Sequence, residues 1–70
     1  MMTIDIPPER YQAWGVACRA QWIVDHEPTR ERWVEAAQAW DALVALYGPH
    51  ELDRAVFEGL AQVARERAST

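Results

Sequence analysis

The 70-residue chain has no lysine, one cysteine and three isolated glycines. Without lysine, all seven permanent cations are arginine, set against eleven Asp and Glu for a net charge of −4. That balance opposes nonspecific nucleic-acid binding, which draws its affinity from neutralised phosphates. A single cysteine, Cys18, excludes an intramolecular disulfide and fits a reducing cytoplasm. Isolated glycines leave no loop of the kind that cradles a nucleotide phosphate. Apolar runs are too short for a signal peptide or a membrane span.

Motifs that carry chemistry are also missing. His26-Glu27 opens like the zinc-protease helix motif, but position 30 is Arg and Pro28 breaks the helix the motif needs. His50 and Cys18 lie on other segments, and a zinc site needs three or four converging ligands. Cys18 sits among aromatic residues at helical spacing, where a thiol behaves as a small apolar group. Asp25, Glu27, Glu31 and Glu35 have the residue type of a general acid/base pair. A chain this short seldom shapes a substrate pocket of roughly 300 Å³, so they read as a solvated acidic face. The expectation is a non-enzymatic protein with no cofactor and no metal.

What the chain does have is tryptophan, four in 70 residues. Trp14 and Trp22 are eight apart and Trp33 and Trp40 seven apart, both spacings that return to one side of an α-helix. Full burial of all four would contribute on the order of 20 kcal/mol gross, a staple for a scaffold without disulfides.

The pattern predicts an all-α, single-domain three-helix bundle behind a short extended arm, residues 1–7. Helix 1 should run from about 8 to 26, with Pro8 in its first turn and Pro28 beyond its end. It has two apolar faces: Tyr11, Trp14, Cys18 and Trp22 on one side, and Ala13, Val16, Ala17, Ala20, Ile23 and Val24 on the other. Two further helices can hardly cover both, so one face should be left for Ile4 and Ile6 of the arm, a second copy, or a target. Helix 2 should span 29–47, with a seam of Trp33, Ala36, Trp40, Leu43 and Tyr47 and a left-handed cap at Gly48. Helix 3 should span 50–67, with a core stripe of Leu52, Val56, Leu60 and Val63 flanked by Phe57 and Ala64. Three helices also suit a helix-turn-helix. The recognition helix would then present Arg54, Glu58, Gln62 and Arg65, a mixture of signs, while Glu31, Glu35 and Asp41 would oppose the DNA backbone.

Residues 37–68 resemble one tetratricopeptide repeat. Trp40, Leu43 and Tyr47 match the first-helix pattern W-x2-L-G-x2-Y, with Val44 in place of its glycine, and Val56, Leu60 and Val63 keep the apolar register of the second helix. The resemblance implies a helical hairpin that binds a peptide or protein. In kind, small, acidic, helical and without chemistry of its own, the chain is similar to the anti-CRISPR proteins of phages. That likeness implies an inhibitor that binds a Cas effector subunit and blocks its nucleic-acid-binding surface, in a host bacterial cytoplasm. The expected contact set is Asp25, Glu27, Glu31, Glu35 and Asp41, with Trp14 and Trp22 as aromatic anchors. The alternative is a repeat-like adaptor or oligomerisation module of a bacterial regulatory complex. Either way the expected partner is a protein or a second copy, with no direct nucleic-acid or membrane contact.

Overall fold

The computed structural model describes residues 7–70, which form three helices: α1 (Pro8–His26), α2 (Arg30–Val44) and α3 (Leu52–Ala68). The fold is an all-α helical bundle, with no strand among the described residues. Apart from Pro7, the expected arm lies outside the described residues, as do Ile4 and Ile6. No described helix is long and apolar enough to cross a membrane.

Helix α1 has the expected limits. Pro7 is extended (φ −54°, ψ 134°), and Pro8 starts the first turn, where a missing N–H costs nothing. Thr29 caps α2 by accepting a hydrogen bond from the Arg32 N–H at 3.2 Å. The C-terminal end of α2 departs from expectation. The helix stops at Val44 instead of Tyr47, and α3 begins at Leu52 instead of near His50. No described glycine has a positive φ, so Gly48 is not a left-handed cap. The last carbonyls of α2 accept from the backbone N–H groups that follow: Asp41 from Ala45 and Leu43 from Leu46, both at 3.1 Å, and Val44 from Tyr47 at 3.0 Å. Two arginines from the other helices hold the turn beyond: Arg10 Nε donates to the Leu46 carbonyl at 2.9 Å, and Arg54 Nη1 donates to the Tyr47 carbonyl at 3.0 Å.

α2 is the central element. α1 and α3 each pack against it and do not pack against each other. The Cα trace is 23 Å across and 13 Å thick, a bent layer of three helices. Eight residues are buried: Ala17 and Val24 of α1, Ala36, Ala37, Trp40 and Leu43 of α2, and Ala61 and Ala64 of α3. Five of these are alanine, so the helices meet through small side chains and the large apolar residues are displaced outward.

The seam expected on α2 is therefore in place, with Ala36, Trp40 and Leu43 buried and Trp33 and Tyr47 half-buried. The stripe expected to form the core side of α3 is not. Leu52 is 88% exposed, Val56 60% and Val63 47%, and only Leu60 of the four is half-buried. The core side of α3 is the neighbouring arc of Phe57, Ala61 and Ala64. The physical reason lies on α2, whose Ala36 and Ala37 form a shallow surface that small residues of α3 can approach closely. Arg54, expected to face out, is half-buried because its guanidinium reaches the end of α2. Of the four tryptophans only Trp40 is buried, and the stapling energy estimated for all four falls accordingly.

Candidate functional site

Because α1 and α3 stand apart, the layer has a groove between them. Tyr11 and Trp14 of α1 form one wall, Phe57 and Asp53 of α3 the other, and Tyr47 and Arg10 close its end. It is open to solvent and has a volume of about 410 Å³. The aromatic rings are set edge and face. Phe57 stacks on Trp40 at 5.7 Å between centroids and meets Tyr47 edge-on at 5.3 Å. Such pairs add to the energy of area burial and hold the rings in place. Tyr11 is 66% exposed and Trp14 48%, so the groove's first wall is not spent on the core. Helical spacing carries the same apolar face around α3 from Phe57 and Leu60 to Val56, Val63 and Leu52.

Arg10 organises the closed end. Its Nη1 and Nη2 donate to the two carboxylate oxygens of Glu51 at 2.9 and 2.7 Å, its Nε holds the Leu46 carbonyl, and its guanidinium lies 4.2 Å from the Tyr47 ring centre. The Gly48 N–H donates to Glu51 Oε2 at 2.6 Å. The hydrogen bonds from Arg10, then that from Gly48, lower the Glu51 carboxyl below its usual range, and Glu51 in turn raises the Arg10 guanidinium. A lowered carboxyl stabilises the fold at pH above the ordinary carboxylate value. The contribution is lost as pH falls through the folded value. Glu51→Gln is expected to lower the melting temperature at neutral pH, and the gap from wild type should close in acid. A gap independent of pH would show that the Glu51 charge contributes nothing.

The expected contact residues are dispersed. Trp14 lines the groove. Trp22 is 62% exposed and lies against His26, with ring centres 4.0 Å apart, and His26 Nδ1 donates to the Trp22 carbonyl at 2.8 Å. Asp25, Glu27, Glu31 and Glu35 gather at the α1–α2 corner among Arg30 and Arg32. Arg32 reaches Glu35 at 3.1 Å and Glu27 at 3.8 Å, Asp25 accepts from Gln21, and Glu31 has no ion-pair partner among the described residues. Asp41 lies further along α2, lining a surface depression with Arg30 and Arg65, and accepts two hydrogen bonds from Arg65 Nη1, at 2.7 and 2.8 Å. The structure does not bring Asp41 together with the other four. Sequence reading did not find Arg10, whose partner Glu51 is 41 positions away. It also left Tyr47 and Phe57 as core aromatics. The one signal for the groove was the surplus of aromatics on α1.

Half-buried Cys18 is a free thiol on that aromatic side. Among the described residues no three His, Cys, Asp or Glu side chains are grouped to hold a metal. Comparison with known protein families, with curated proteins and with solved structures finds no match to this chain.

Proposed function

We propose that this chain is a protein-interaction module that lays the apolar face of its helical layer against another polypeptide. The observation that carries this reading is the exposure of Tyr11 and Trp14 in a groove whose rings are held by Tyr47 and Phe57, together with the exposure of Leu52, Val56 and Val63 along α3. Exposed apolar patches of this size, with aromatic anchors, are characteristic of interfaces. The role is that of an adaptor or oligomerisation module.

The net charge of −4 and the crowding of Asp25, Glu27, Glu31 and Glu35 at one corner support a second reading. In it the chain is an inhibitor of the anti-CRISPR kind, which presents acidic residues to a basic nucleic-acid-binding surface. Three of the five proposed contacts already face arginine, which favours the apolar face.

The two readings differ in salt dependence and in the variant that abolishes binding. Immobilised protein, wild type and Trp14→Ser, is incubated at low and high salt with an extract of the cells that encode it. Binding through the apolar face predicts a captured protein that survives high salt and is lost with Trp14→Ser, while circular dichroism shows the variant folded. Loss at high salt, together with loss on reversing Glu31 and Glu35 to Arg and no effect of Trp14→Ser, would overturn it in favour of the acidic corner.

A further inference from the structure

The geometry points to a second copy of this chain as the occupant of the apolar face, with the two α3 helices antiparallel about a two-fold axis near Leu60. This rests on the reading of that face as an interface. Two observations carry it.

The first is area. Tyr11, Trp14, Leu52, Val56 and Val63 are 66, 48, 88, 60 and 47% exposed. Together they present roughly 600 Å² per chain, below the ~800 Å² per partner of a standard interface and in the range of a weaker, concentration-dependent dimer. Inside the chain, by contrast, Leu43 and Val24 are the largest fully buried side chains. A small domain without disulfides or metal commonly completes its core by association.

The second is charge. Asp53 and Arg67 stand near opposite ends of the α3 stripe, and neither has an ion-pair partner among the described residues. Arg67 lies only loosely over the Trp33 ring, at 5.9 Å. Fourteen residues of helix separate them, about 21 Å. A two-fold axis through Leu60 sets Asp53 level with Arg67 of the second copy, and the symmetry repeats the pair. Val56 falls within one residue of facing Val63 of the second copy. The stripe is thus complementary to itself in the antiparallel sense alone: in a parallel pair, Asp53 would face Asp53.

The test is sedimentation equilibrium of the full chain over a concentration series, for wild type, Val56→Glu, Asp53→Arg, Arg67→Asp and the Asp53→Arg/Arg67→Asp double variant. Circular dichroism checks that each is folded. Wild type should dimerise in the micromolar range, and Val56→Glu should be monomeric. Each single reversal should weaken the dimer about tenfold, and the double variant should recover most of the loss. A dimer indifferent to Val56→Glu and to the reversals would overturn the proposed seam. A wild type that stays monomeric, while capture of another protein still depends on Trp14, would overturn self-association and leave the interaction-module reading intact.

Discussion

Trp40→Ala is expected to remove about a third or more of the chain's stability. Trp40 is 4% exposed and ties the layer together. Its Nε1–H donates to Gln21 Oε1 of α1 at 3.0 Å, and its ring stacks on Phe57 of α3 at 5.7 Å. Because α1 and α3 do not pack on each other, one side chain contacting both carries more of the tertiary structure than in a closed bundle. Truncating a buried Trp costs ~3–5 kcal/mol. At roughly 0.05–0.15 kcal/mol per residue, the whole stability of such a domain is about 4–10 kcal/mol. The loss also leaves a half-buried Gln21 carbonyl without its donor. Urea titration followed by circular dichroism measures the effect, with Trp22→Ala as the control. Trp22 is mostly exposed, and its removal should change stability by no more than ~0.5 kcal/mol. A Trp40 variant melting within a few degrees of wild type would refute the role of Trp40 as the tie.

Ala61→Leu is expected to destabilise although it adds apolar surface to a core. Ala61 and Ala64 are wholly buried where α3 meets α2, and the facing surface includes Ala36 and Ala37. Three added carbons have no space there without moving the helices apart, and overpacking of this kind costs ~1–3 kcal/mol. Val63→Leu, which adds one carbon on the exposed side of α3, should stay within ~0.5 kcal/mol in the monomer. If α3 were instead seated on the Leu52–Val56–Leu60–Val63 stripe, Ala61 would be an outer position. Ala61→Leu would then be neutral and Val63→Ala costly. Thermal melts of these variants decide between the two orientations.

That contrast marks where the sequence was legible. Proline at 8 and 28 and the Thr29 cap set the limits of α1 and the start of α2 through local sterics and hydrogen bonding, which a sequence displays directly. The seam on α2 followed from 3-4 spacing of large residues. The orientation of α3 did not follow, because reading by hydrophobicity weights Leu and Val above Ala, whereas close approach of two helices favours the small residue. The end of α2 is not legible for another reason. The turn after Val44 is held by Arg10 and Arg54 at the Leu46 and Tyr47 carbonyls, donors that come from other helices and leave no local mark. The candidate face was half visible: Tyr11, Trp14 and Trp22 stood out as a surplus on α1. The rest of the face depends on which side of α3 turns outward, and hydrophobicity alone places Val56, Val63 and Leu52 in the core although they are exposed.

Trp40 is held in the core while the aromatic side of α1 is left outside, where the proposed partner would cover it. Broadening of the four indole N–H signals of the wild-type chain by a soluble paramagnetic probe tests this most directly. In dilute solution, the Trp40 signal should be strongly protected and those of Trp14 and Trp22 readily broadened, with Trp14 alone gaining protection as concentration rises. Equal protection of Trp14 and Trp40 at every dilution would place the aromatic face inside the single chain and contradict the account.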